Sequence, residues 1–268
     1  MKRIGIIGCG TMGSAIAQSL GTALVYDSQK SQLDRIGSKE GIEVASSLED
    51  LLERSETVLL AVKPQVLPTL YPTLSRYRRN WISIAAGTSL SRLSKGLKSE
   101  TIVRLLPNIA AREQKSVTAL AAHTKCPPSF ASEAASIARS FGTVVELEER
   151  LFDGFIGISA SAIAFALEFV HALSMGGVGE GIAYPQAQKI VTATLGSTIA
   201  ILESSSRHPV ELVSSVCSAG GTTIEGMAAL ADGAFDATVM DAVRASAQKS
   251  RTMEAEALNH NSSEETND

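Results

Sequence analysis

The chain has 268 residues, enough for one large domain or two ordinary ones, each with its own core. Its 24 basic residues face 28 acidic ones, a net charge of −4, which leaves no electrostatic footprint for nucleic acid or an anionic membrane surface. The three cysteines, Cys9, Cys126 and Cys217, are odd in number, far apart and without a C-x-x-C spacing; this argues against a disulfide framework or a zinc site and fits a reducing cytoplasm.

Met1-Lys2-Arg3 leads straight into an apolar run with no signal-peptide pattern. Ile4, Ile6 and Ile7 are β-branched and apolar, as in a buried parallel strand. Gly8, Gly10 and Gly13 then give G-x-G-x-x-G, and Ala15, Ile16 and Leu20 follow at helical spacing. Gly8 permits the tight turn, Gly10 lets a pyrophosphate approach the backbone, and Gly13 lets the helix pack close to the sheet. The N–H groups of Cys9, Thr11 and Met12 belong to the same turn and helix start, where the helix dipole favours phosphate. A second short strand, Leu24-Val25-Tyr26, ends at Asp27, 27 − 8 = 19 positions after Gly8. That is the spacing at which an acid accepts from a ribose 2′-hydroxyl. The alternative is that Asp27 only caps the next helix.

Residues 1 to about 105 alternate apolar runs with amphipathic stretches, the pattern of a parallel α/β sheet. Ser28 to Ile36 reads as a polar helix or loop, 41–44 as a third strand, and Ser46 onward as a capped helix. Thr57 to Val62 reads as a buried strand ended by Lys63-Pro64, and Trp81 to Gly87 as another. The ends Ala61-Val62-Lys63-Pro64 and Ala85-Ala86-Gly87 lie where open α/β sheets bind ligands, and their small residues leave room for ribose and nicotinamide. Lys63 taken alone reads equally as a solvated loop lysine. Thr101 to Leu106 is the sixth strand, stopped by Pro107-Asn108; Asn108 reads as a substrate or nicotinamide contact, or as an ordinary turn residue.

Residues 117–122 and 141–146 read as two more strands with a helix from Pro127-Pro128 to about Ser140 between them. From Glu149 the pattern becomes helical, with helices near 150–178, 186–205, 209–216, 221–231 and 235–257. The expected division is a dinucleotide-binding domain at 1–150, an all-helical domain at 151–258, and a polar, disordered tail at 259–268. Phe152 to Val178 could mimic a membrane span, but Glu168 and His171 would be costly in lipid; a buried core or interface helix is the simpler reading. In Ser218-Ala219-Gly220-Gly221-Thr222-Thr223, two glycines and two threonines open a helix. The turn is either an anion nest suited to a carboxylate or an ordinary capped helix start.

Taken together, Ile6 to Gly13, Ala61 to Pro64, Ser83 to Gly87 and Ser218 to Thr223 resemble the pyrroline-5-carboxylate reductase family. Pro107-Asn108, His208 to Leu212, Gly233 to Phe235 and Asp241 to Val243 add to the match, which covers nearly all of 3–253. The resemblance implies a Rossmann-type domain followed by an all-helical dimerisation domain. It implies NADH or NADPH as hydride donor, a small cyclic imine as substrate, L-proline as product, and no metal. It also implies a homodimer, with a larger ring of dimers in some members, and an active site completed by helices of the second subunit. By the same resemblance the substrate carboxylate rests near Gly221, Thr222 and Thr223, and the Thr223 hydroxyl hydrogen-bonds the ring nitrogen. Asp27 favours NADH, although Ser28, Gln29 and Lys30 would suit a phosphate if the loop turned Asp27 away.

The chain departs from the family at two places near that site. Pro107-Asn108-Ile109-Ala110 stands where Pro-Asn-Thr-Pro is usual, and Ser159-Ala160-Ser161-Ala162-Ile163-Ala164-Phe165 where Ser-Gly-Ser-Gly-Pro-Ala-Tyr is usual. These changes bear on the substrate more than on the reaction class. A related reductase for another small imine or hydroxy acid, and a non-catalytic dinucleotide sensor, are the competing readings; the intact Gly-Gly-Thr-Thr argues against the sensor.

Overall fold

The computed structural model describes residues 4–264. Its first region is a single eight-stranded sheet in the order β3-β2-β1-β4-β5-β6-β7-β8. The strands are β1 (Ile4–Ile7), β2 (Ala23–Tyr26), β3 (Ile42–Val44), β4 (Thr57–Leu60), β5 (Asn80–Ser83), β6 (Ile102–Leu106), β7 (Ser116–Ala122) and β8 (Gly142–Glu146). Parallel ladders join the first six, with Ile6 opposite Val25 on one side and Leu59 on the other. β7 then runs antiparallel to β6, with Val103 opposite Ala122, and β8 runs parallel to β7.

Helices α1 (Thr11–Leu20), α2 (Lys30–Gly37), α3 (Leu48–Arg54), α4 (Leu67–Leu74), α5 (Leu90–Leu97) and α6 (Pro128–Arg139) cover the two faces. Leu51, Leu60, Trp81 and Leu93 lie in the core on one face, and Ile16, Ile36, Phe130 and Phe141 in the core on the other. Burial on both faces explains why these strands are apolar runs without alternation. Ser47 caps α3, accepting from Asp50 N at 3.1 Å, as Ser46-Ser47 led one to expect. Pro64 lies in a turn ahead of α4; the proline in the first turn of that helix is Pro68.

After β8 the chain becomes helical: α7 (Phe152–Phe155), a π-helical turn at Ile156–Ala160, α8 (Ala162–Gly179), α9 (Tyr184–Glu203), α10 (Pro209–Val216), α11 (Thr222–Asp232) and α12 (Phe235–Glu264). By compactness the chain divides into one unit of residues 1–160 with 247–268 and a second of 161–246, rather than at 150. Phe152 and Phe155 explain the shift, since both are buried in the core of the first unit. α12 continues through 259–264, where a disordered tail was expected; its sequence contains no Pro or Gly to stop it. Residues 265–268 of that expected tail lie outside the described residues.

The second unit has almost no interior of its own. Only Ser174, Ala187 and Val191 are buried in α8 and α9, and α10 and α11 bury no residue. Leu167 is 64% exposed, Ile199 55% and Val216 65%. Helices this apolar and this open need a covering surface. The helical run Glu149–Gly179 is long and apolar enough to cross a membrane by length and composition, and 11% of its most apolar window is buried within the chain.

Candidate active site

The glycine turn is built from two glycines fixed by packing and one left open. Gly8 has φ +101°, and a Cβ there would lie 2.6 Å from the Ala61 carbonyl oxygen. A Cβ on Gly13 would lie 2.0 Å from the carbonyl oxygen of Gly8 and 3.0 Å from the Ala61 Cβ. Gly10 differs: a Cβ there would meet nothing within 4 Å. The chain itself does not require glycine at 10, so the open face suits a group from outside. No side chain caps α1, so the first N–H groups of Thr11, Met12 and Gly13 remain for an anion. These residues fit a dinucleotide, which would supply hydride chemistry at the carboxyl edge of the sheet.

Asp27 joins this turn directly. Its Oδ2 accepts from Cys9 N at 2.6 Å and its Oδ1 from Gln29 N at 2.8 Å. Both oxygens keep a lone pair for further donors. The Cys9 carbonyl accepts from Ser14 Oγ at 2.7 Å and Arg35 Nη2 at 3.3 Å. Burial, with Asp27 adding and Arg35 opposing, pushes the Cys9 thiol up to about 12.

The other strand ends follow the same logic. The β4 ladder stops at Leu60 and the β5 ladder at Ser83, earlier than the apolar runs that continue to Val62 and Gly87. Ala61, Val62, Lys63 and Pro64 form the turn after β4, with Lys63 exposed. Ala85 is buried, Ala86 exposed, and Gly87 takes φ +66° in the turn before α5. Gly8 to Gly13, Asp27, Ala61 to Pro64 and Ala85 to Gly87 therefore all follow carboxyl ends of parallel strands in the first unit.

Asn108 is buried and engaged within the protein. Its Oδ1 accepts from Ala110 N at 3.2 Å, capping a 3-10 turn at Ile109–Glu113, and its Nδ2 donates to Ser159 Oγ at 3.2 Å. Ser159 lies in the π-helical turn, an irregularity that often marks functional segments. Ile109 is 46% exposed beside it in sequence.

In the second unit, Gly220 takes φ +65° and Gly221 precedes α11 in an extended conformation with no side-chain cap. A Cβ on Gly221 would lie 2.2 Å from Ser218 Oγ and 3.2 Å from the Ser218 carbonyl oxygen, so a side chain there would have to turn the serine hydroxyl aside. Thr222 and Thr223 are exposed at the uncapped helix start. Among the described residues no group of three His, Cys, Asp or Glu is placed to hold a metal ion.

Sequence reasoning passed over an ion pair within the first unit, between a buried arginine and a half-buried glutamate. Arg104, in the middle of β6, donates from Nη1 to Glu149 Oε1 at 2.8 Å and lies 4.9 Å above the Phe152 ring. Glu149 Oε1 also accepts from Leu90 N at 2.7 Å. A charged residue inside the apolar run 102–106 was the available signal.

Comparison with known proteins gives a consistent result. Residues 149–253 match the family model for pyrroline-5-carboxylate reductase dimerisation, and residues 3–87 one described as NADP oxidoreductase, coenzyme F420-dependent. The chain is 34% identical over 257 residues to pyrroline-5-carboxylate reductase of Aquifex aeolicus, covering 94% of this chain and 97% of that one. A crystal structure of 1-pyrroline-5-carboxylate reductase from Streptococcus pyogenes is 31% identical, with a TM-score of 0.84, covering 93% of this chain and 98% of that chain. The Plasmodium falciparum pyrroline carboxylate reductase, solved with NADP bound, is 25% identical with a TM-score of 0.82, covering 94% and 98%.

Proposed function

We propose a division of labour among the residues of this chain, which belongs to the pyrroline-5-carboxylate reductase family and reduces 1-pyrroline-5-carboxylate to L-proline with NAD(P)H, as a homodimer. A bound nicotinamide would supply the hydride for the C=N carbon, the π electrons going to the ring nitrogen, which would take a proton from solvent. The backbone N–H groups of Thr222 and Thr223 hold the substrate carboxylate beside Gly221, whose own N–H donates to the Ser218 carbonyl at 3.1 Å and closes the turn. The Thr223 hydroxyl hydrogen-bonds the ring nitrogen as it changes from imine to amine, so Thr223 is the catalytic side chain. The observation that carries this is the uncapped start of α11, reached through a left-handed Gly220 and a turn closed by the Gly221 N–H on the Ser218 carbonyl. Much of the acceleration then comes from positioning and electrostatics.

On the cofactor side, Gly8 to Gly13 cradle the pyrophosphate, and Ala61 to Pro64 with Ala85 to Gly87 line the ribose and nicotinamide. Asp27 makes NADH the preferred donor over NADPH. Its carboxylate stands at the glycine turn, where a 2′-hydroxyl can donate to it and a 2′-phosphate is repelled. Asn108 acts by ordering the 109–113 turn and the segment around Ser159. The free thiols support a reducing compartment, the cytoplasm. Assembly of dimers into a larger ring is the further step this reading allows.

The departures at Ile109, Ala160, Ala162, Ile163 and Phe165 make the pocket less polar and reshape it. The chain therefore accepts a six-membered cyclic imino acid as well as the five-membered one. A methylene in an apolar pocket is worth about 1–3 kcal/mol, so ring preference shifts by about 10-fold or more. The test compares kcat/KM for both rings in wild type and in Ile109→Thr with Phe165→Tyr. The double change restores five-membered selectivity; unchanged selectivity in both proteins counts against a role for these positions.

A further inference from the structure

Away from the carboxyl edge of the sheet lies a polar cavity of about 530 Å³, lined by Ser75 to Asn80 with Lys98, Ser99 and Thr101. It carries four cations: Arg76, Arg78, Arg79 and Lys98. None of its lining residues is acidic. Among the described residues none of the four forms an ion pair; the nearest acid in sequence, Glu100, is taken by Lys125 Nζ at 2.6 Å. In a protein of net charge −4, four cations around one cavity without an acidic lining residue are a local concentration of positive potential.

Of these cations, Arg79 is held in place by contacts of its own side chain. Arg79 Nε donates to the Leu52 carbonyl at 2.7 Å, its Nη1 donates to the Arg78 carbonyl at 2.9 Å, and its guanidinium lies 5.7 Å from the Tyr77 ring centroid. Its remaining nitrogen, Nη2, carries two more donors. Lys98 closes α5 in the left-handed region, φ +49° and ψ +43°, where glycine is the usual residue.

The cavity cannot belong to the dinucleotide. Its two loops, 75–80 and 98–101, enter the amino ends of the parallel strands β5 and β6, whereas Gly8 to Gly13, Ala61 and Ala85 follow carboxyl ends. We propose that Arg76, Arg78, Arg79 and Lys98 form a binding site for a small oligophosphate, separate from the cofactor cleft. One anchored and three solvent-facing cations around a volume of this size match a compact multivalent anion, and the guanidinium groups suit phosphate oxygens two at a time.

The probe is inorganic tripolyphosphate, titrated calorimetrically into the full-length protein at low and at physiological ionic strength. Wild type binds one tripolyphosphate per chain, more weakly as salt rises. Lys98→Gly removes a cation and relieves the left-handed backbone, so it raises the melting temperature while weakening tripolyphosphate at least about 5-fold. Adding Arg78→Gln takes the loss beyond about 10-fold, with KM for NADH unchanged. A control, Lys39→Gln with Arg112→Gln at a different cationic cavity, leaves tripolyphosphate binding intact. No heat of binding in wild type, equal affinity in Lys98→Gly with Arg78→Gln, or a loss confined to the control overturns the proposal. Because binding is read without imine or nicotinamide, its failure is distinct from any failure of the catalytic assignment.

Discussion

The carbonyl oxygen of Gly8 occupies the space that a side chain on Gly13 would need: a Cβ at 13 would approach it to 2.0 Å. The two glycines are thus one packing unit, while Gly10 between them faces open space. Gly13→Ala forces the helix off the turn and destabilises the protein by on the order of 3 kcal/mol. Gly10→Ala changes stability by less than about 0.5 kcal/mol, yet weakens dinucleotide binding about 10-fold or more. Thermal melts and cofactor titrations of the two variants separate these effects. Equal stability loss in both would refute the distinction.

Asp27 sets the second expectation. Asp27→Ser removes the repulsion toward a 2′-phosphate and one acceptor for a 2′-hydroxyl. The ratio of kcat/KM for NADH over NADPH falls about 10-fold or more, roughly 1.4 kcal/mol. If wild type already uses NADPH as well as NADH, the assigned role of Asp27 is wrong.

Thr223→Ala lowers kcat while cofactor affinity stays the same. One lost transition-state hydrogen bond costs on the order of 1–3 kcal/mol. Thr223→Ser, which keeps the hydroxyl, retains most of the turnover. A full rate in the alanine variant would leave Thr223 as a helix-start residue only.

The Cys9 thiol, pushed up to about 12, stays protonated near neutral pH and resists alkylation in the native protein. The raised folded value also sets a pH dependence. Its contribution to stability is whole below the ordinary thiol range and is lost as pH rises through that range toward about 12, because the unfolded chain gives up this proton first. Mass-resolved labelling with iodoacetamide, native against unfolded, checks this; native labelling at Cys9 as fast as at Cys217 would contradict it.

The near-absence of an interior in α10 and α11 gives a fifth expectation. The homodimer supplies the missing cover, so unfolding is linked to association and the melting temperature rises with protein concentration. A melting temperature constant over a hundred-fold dilution would mean that the helical unit stands without its partner.

Much of this architecture is visible in the sequence because buried parallel strands are unbroken apolar runs. The runs fail as rulers at their carboxyl ends, where Val62 and Ala85-Ala86 look like strand but lie beyond the ladder, with Ala61 N making the last bond of the β4 run, to the Ile7 carbonyl at 2.8 Å. Strand direction is also invisible: nothing in Val117 to Ala122 says that it runs against β6. Asn108 could be picked out but not interpreted, since its bond to Ser159 joins positions 51 residues apart. The Arg104–Glu149 pair was hidden for the same reason, being made between distant stretches.

The first unit is not one stretch of chain. Ala247, 5% exposed, and Ser250, whose Oγ donates to Asp153 Oδ1 at 2.7 Å, belong to it although the whole helical unit intervenes. Synthesis from the amino end therefore delivers all eight strands early and the closing helix last. A nascent chain ending at 150 has its sheet but lacks Phe152, Phe155 and the α12 segment, so the order of translation and the order of completion differ. The nucleotide-binding half reaches its finished form only when nearly all of the protein has left the ribosome.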